Sequence, residues 1–158
     1  MASSRGAANA ALYRARTLLS AWSHARERQS APDEHLTETF LPGVREHLTQ
    51  AYGCFLLAAA GIDDMSGRRP PRSTQDVPAV EPGKALPPEL REFQLLEEEG
   101  WVGEMLTLVE SGSAGGAVAS GPDLLGTDRT GPGYAVAQRW AERLTSTMQR
   151  MDDFLAEC

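Results

Sequence analysis

Lysine is almost missing from this chain: Lys84 stands alone beside fourteen arginines, with three histidines and two cysteines among 158 residues. We read the arginine excess as a coding bias. The two cysteines, Cys54 and Cys158, are too sparse for a disulfide framework. The longest apolar run, Cys54 to Ala60, falls far short of the roughly 20 residues a membrane helix needs. No apolar stretch follows the start Met1 to Gly6, so no signal peptide is expected and the cytoplasm is the expected location. A net charge of −7 argues against a general nucleic-acid binder, which needs a basic surface.

The shortage of chemistry-bearing residues narrows the field further. His47 and Cys54 are seven apart on one helical face, with Glu46 adjacent. A metal site needs three or four ligands, and the Glu-x-x-His pairs of di-iron bundles are absent. No metal and no cofactor are therefore expected, and Cys54 reads as a small core-flanking residue. The run Gly121-Pro122-Asp123-Leu124-Leu125-Gly126-Thr127 has the two glycines of a phosphate loop. It lacks the lysine, no strand precedes it, and Asp123 would repel an anion. Ser111-Gly112-Ser113 comes nearest to a nucleophile elbow, again without a strand before it.

What the chain does have is helical periodicity. Leu12, Ala15, Leu19 and Trp22, flanked by Ala11, Leu18 and Ala25, form an apolar stripe over residues 8–29. Pro32 ends that helix. A second stripe, Leu36, Phe40, Val44, Leu48, Ala51, Phe55 and Ala59, covers 33–60 and keeps its phase across Pro42-Gly43, which predicts a kink or a restart. Gly61-Ile62 fits a C-terminal cap. A third helix is expected over 88–110, from Pro87-Pro88-Glu89 onward, with Leu90, Phe93 and Leu96 on its face and a break at Gly100 before Trp101, Met105, Leu108 and Val109. The fourth, 134–156, carries Ala137, Trp140, Leu144, Met148, Met151 and Leu155.

Between these lie two long connections. Residues 63–87 hold five prolines with Arg68, Arg69 and Arg72, and residues 111–133 hold seven glycines. Each is expected to bury too little to offset its ordering entropy. Both are read as dispensable linkers, with Arg68, Arg69, Arg72 and Arg129 as the first trypsin sites. No strand-like alternation appears. The expected fold is all-α: a single four-helix-bundle domain over 1–158, with a Pro-rich crossover and a Gly-rich loop.

Four stretches carry a likeness: Ala11-Leu12-Tyr13; Arg45-Glu46-His47-Leu48 with Ala51-Tyr52-Gly53; Leu95-Leu96-Glu97-Glu98-Glu99 with Gly100-Trp101-Val102; and Trp140-Ala141-Glu142-Arg143-Leu144 with the terminal Leu155-Ala156-Glu157-Cys158. In this order of elements the chain resembles an uncharacterised family of small helical bacterial proteins. The resemblance implies the helical fold and a bacterial cytoplasmic setting, and supplies no catalytic residues.

Arg28 and His35, with six residues between them, are the candidate catalytic pair. Helical-bundle ribonucleases of bacterial defence systems use an arginine and a histidine at such a spacing, as charge stabiliser and base at the scissile phosphate. Pro32 lies inside this match, and with this many arginines such a spacing is expected about once by chance. The alternative is a solvated turn. Trp22, Trp101 and Trp140 could stack a ligand between helices. All three lie on apolar stripes, which favours core packing.

Charge is unevenly laid out. Residues 5–28 carry Arg5, Arg14, Arg16, Arg26 and Arg28 against Glu27, while residues 88–110 carry seven glutamates against Arg91. The simpler reading is that the two segments steady each other inside the bundle. The other is that they set a face for a protein partner or a homodimer. The leading functional expectation is a non-enzymatic interaction or regulatory protein. A bundle ribonuclease and a small-ligand binder are the alternatives.

Overall fold

The structure, a computed structural model, describes residues 3–78, 86–113 and 133–157, with side chains described over 3–78, 86–107 and 133–153. Among these residues the elements are helices: α1 Ser4–Glu27, α2 Asp33–Ala59, a 3-10 turn Thr74–Asp76, α3 Pro88–Glu99, α4 Trp101–Ser113 and α5 Tyr134–Glu157. Helix α1 starts four residues before the periodicity does. Ser3 caps it, its hydroxyl accepting the Gly6 N–H at 3.0 Å.

Helices α1 and α2 end in the same hydrogen-bonded motif. In α2, Gly61 N–H donates to Ala58 O and Ile62 N–H to Leu57 O, with Gly61 at φ 76°, as the sequence predicts. In α1 the same pair of bonds runs from Gln29 to Arg26 O and from Ser30 to Ala25 O. There Gln29 occupies the left-handed position at φ 50°. The helix thus stops at its own cap, before Pro32 acts. Helix α2 then runs unbroken through Pro42, which is exposed on its outer side. Gly43 faces α1, where an added Cβ would sit 3.0 Å from Leu18 Cδ1.

Helices α1 and α2 form an antiparallel hairpin, and α5 lies against both. Tyr134 at the start of α5 packs on Trp22 near the hairpin turn, while Asp152 at its far end pairs with Arg5. The expected α5 stripe from Ala137 to Met151 is buried, and Leu155 lies outside the described side chains. The expected third helix is two. Gly100 adopts an extended conformation (φ −122°, ψ −169°) and turns the chain sharply. As a result Gly103 of α4 presses on α3, where a Cβ would meet Glu97 O at 2.1 Å.

The largest departure from expectation concerns residues 63–87. Their described part, 63–78, is a strap docked on the bundle. Ser3 bridges Asp64, Ser4 N–H donates to Asp63 O at 3.1 Å, Met65 and Val77 pack on the core, and Pro71 is buried. The strap fits because Gly53, in mid-helix, has no side chain: a Cβ there would lie 2.0 Å from Pro71 O. Residues 63–78 are therefore not a dispensable linker. Backbone hydrogen bonds and the Gly53 slot supply what sparse apolar content could not. Of the other connection, Ser111–Ser113 belongs to α4, and 114–132, with Arg129 and the Gly121–Thr127 run, lies outside the described residues.

Two substitutions test this description. Gly53→Ala should destabilise the protein by about 3 kcal/mol, the upper end of overpacking costs, because the atom it meets is backbone. Gln29→Gly should stabilise it by about 0.5–1 kcal/mol by relieving the left-handed strain. Chemical denaturation midpoints read both, and a neutral Gly53→Ala would mean that the strap does not sit in this slot.

Candidate functional site

Residues 48–57 of α2 are all buried except Gln50, which is half-buried. The predicted stripe there is really a sheath. Apolar neighbours contact every side of this stretch, and one polar network closes it. Tyr52, fully buried, donates its hydroxyl to Glu97 Oε1 at 2.5 Å. The same oxygen accepts the Thr74 N–H at 2.8 Å, and Glu97 Oε2 accepts the Thr74 hydroxyl at 2.8 Å. One carboxylate thus ties α2, α3 and the strap together. Burial first, then the hydrogen bond to Glu97 and its charge, push the Tyr52 phenol far above its ordinary range. Phe93 packs edge-on to both Tyr52 and Phe55, with ring centroids 5.1 and 5.7 Å away. Arg72 of the strap pairs with Glu46 at 3.2 Å.

This network positions structure and offers no substrate a reactive atom. Its phenol is held neutral and its carboxylate already accepts three hydrogen bonds. The sequence reading missed Tyr52, Glu97 and Thr74 as a unit. The available signal was Gly53, a glycine in a helix interior, which costs about 1 kcal/mol against alanine and so marks a close approach.

Arg28 and His35 are both exposed and flank the α1–α2 turn. Arg28 is the C-cap of α1, and His35 lies in the first turn of α2. No hydrogen bond joins them among the described residues. An open depression at this turn is lined by Ser23, Arg26, Glu27, Gln29, Ser30 and Asp33, with Ala31 and Pro32, and by neither member of the pair. Beneath the turn, Trp22 stacks on Phe40 at 5.9 Å, and the Arg26 guanidinium lies 4.9 Å from the Tyr134 ring centre.

The other candidates are core. Trp22 and Trp140 are buried and Trp101 packs against the core, as the apolar stripes imply. Cys54 is buried, and burial pushes its thiol up, away from the reactive thiolate. No group of three metal-ligating side chains occurs among the described residues. Helix α2 also holds buried polar atoms with no partner among the described residues: Arg45 Nε, His47 Nδ1 and Thr49 Oγ1. Arg45 lies over Trp140, 5.8 Å from the ring centre, and burial lowers its pKa.

The charged segments do not neutralise each other in the way the simpler reading expects. Among the described residues no ion pair or hydrogen bond joins α1 to α3. Each is tied to α5 instead: Arg5 to Asp152, Arg16 to Thr145 Oγ1 at 2.8 Å, and Glu92 to Arg150. Comparison with family models, with curated proteins and with solved structures found no match, so residue roles rest on geometry alone.

The Tyr52 bond has a signature at high pH. In the unfolded chain a phenol titrates near pH 10, whereas Tyr52 in the fold stays protonated well beyond that. Its contribution to stability is complete below about pH 10 and is lost as pH rises above it, by about 1.4 kcal/mol per unit. Tyr52→Phe should cost roughly 1.5–3 kcal/mol at neutral pH and lose stability less steeply above about pH 10. Denaturant unfolding of both proteins between about pH 9 and 11 checks this. Equal slopes would remove Tyr52 from the network.

Proposed function

We propose that this chain is an interaction or regulatory protein that works through the outer faces of its helical bundle and carries out no chemistry of its own. One observation carries the reading. Two large apolar side chains stand exposed on the helices of opposite charge: Tyr13 on α1, 73% accessible, and Leu95 on α3, 62% accessible. Tyr13 is followed by Arg14 and Arg16, on a helix with no acidic residue before Glu27. Leu95 has exposed Glu98 and Glu99 one turn on and exposed Arg91 one turn back. An apolar anchor among charges of mainly one sign is the composition of a contact surface, where the anchor supplies affinity and the charges supply specificity.

A second reading rests on the exposure of Arg28 and His35 at one turn, where a ribonuclease pair would need to be. Neither residue lines the open depression at that turn. The ligand-binding reading has less support, because Trp22 and Trp140 are spent on the core.

The protein's mass in solution, free and after gentle recovery from its native cells, tests the proposal. An increase over the 17.1 kDa chain that Tyr13→Ala or Leu95→Ala abolishes is the expected result. A single-chain mass throughout would defeat it. His35→Ala should leave the protein's behaviour unchanged. RNA cleavage by the purified chain that this substitution abolishes would instead establish the ribonuclease reading.

A further inference from the structure

The order of charges across one side of the molecule says what these faces fit. Helix α5 lies between α1 and α3 on that side. Thr145 and Asp152, seven residues apart and so on one face, reach α1 through Arg16 and Arg5. Arg150, well round the helix from them, reaches Glu92 of α3. The exposed face of α5 lies between these two contacts, and it is divided. Glu142 and Asp153, eleven apart, share the edge toward α1, while exposed Arg139, Arg143 and Arg150 share the edge toward α3. Crossing from α1 to α3, the surface runs basic, acidic, basic, acidic.

Such a sequence of stripes is complementary to itself when left is laid on right. We infer that two copies of this chain pair about a two-fold axis running along α5, the basic face of α1 in each copy seated on the acidic face of α3 in the other. This rests on the interaction reading above and names its partner. A two-fold axis across α5 instead of along it would stack α1 on α1 and α3 on α3, setting like charges together. The heights match as well. Arg5 and Arg16 bracket Tyr13 and meet α5 at residues 152 and 145, and Glu92, one turn before Leu95, meets it at 150. Rotation about an axis along α5 preserves height, so Tyr13 of one copy arrives opposite Leu95 of the other. The contact is isologous and closes on itself. Each exposed apolar anchor is covered once, and each stripe meets one of opposite net charge, Arg91 being the one exposed base beside Leu95 among Glu92, Glu98 and Glu99.

Charge reversal in pairs tests the inference. One variant carries Arg14→Glu and Arg16→Glu, which makes α1 acidic. A second carries Glu98→Arg and Glu99→Arg, which makes that end of α3 basic. All four positions are exposed, so unchanged circular dichroism should confirm that both variants fold. In light scattering at low ionic strength, wild type should give twice the 17.1 kDa chain mass, and each variant alone should give the mass of one chain. An equimolar mixture of the two variants should return to twice that mass, because each reversed face then meets its complement. A wild-type chain of single mass overturns the inference, as does a dimer that survives both reversals, or a mixture that fails to re-pair. If wild type is single in pure solution yet gains mass with another protein from its native cells through Tyr13, the interaction reading stands and self-pairing falls.

Discussion

The second half of α2 must be covered on every side, and most of the architecture follows from that requirement. A helix buried along a single stripe needs one or two neighbours, but a helix apolar all round needs a complete sheath. Residues 51–57 are buried without a break. At roughly 1.5–3 kcal/mol for each large side chain removed from water, leaving any one side open would forfeit a sizeable share of a domain's net stability. Helices α1 and α5 cover two sides and α3 with α4 a third. On what remains the strap crosses, with Pro70 and Pro71 against Gly53.

Glu97 holds that sheath closed. A carboxylate in a partly buried site is tolerable when its oxygens are occupied, and here they accept from Tyr52, the Thr74 amide and the Thr74 hydroxyl. Its backbone carries a second constraint, because Gly103 packs against its carbonyl. The corner at Gly100 and the path of the strap therefore depend on one residue. In the Glu97-Glu98-Glu99 run, the first glutamate serves the interior while the other two face solvent.

That division explains what the sequence does and does not disclose. Helix positions, the Gly61 cap, the break at Gly100 and the burial of the α5 stripe are local properties, set by periodicity and by residues whose backbone preferences are strong. The extension of α1 to Ser4 was also local, but the cap at Ser3 lies outside the apolar stripe that marks a helix. The docked strap is not local. Its proline-rich composition resembles that of an unfolded linker, and only the slot at Gly53, some twenty residues earlier in the chain, gives it a place. The left-handed Gln29 is likewise hidden, since glutamine carries no turn signal. As for sites, exposure of Arg28 and His35 is legible from their place at a turn, but which residues line the depression there is a property of packing.

The charge layout is the clearest case of a pattern that reads differently in three dimensions. Taken along the chain, a basic first helix and an acidic third segment look like mutual neutralisation. In space α5 separates them and meets each with the opposite sign, so Arg5 and Glu92 are paired, while Arg14, Glu98 and Glu99 are exposed and have no ion pair among the described residues. Exposed single ion pairs contribute little to stability, about 0–1 kcal/mol each. Folding therefore exerts only weak pressure on where these charges lie, and the core would form with almost any polar residues in their place. A regular succession of opposite stripes across three helices, with an apolar side chain at each end of it, is consequently not accounted for by the fold. Complementarity to another surface, as proposed above, would account for it, because charge order fixes orientation and register between surfaces while contributing modestly within one.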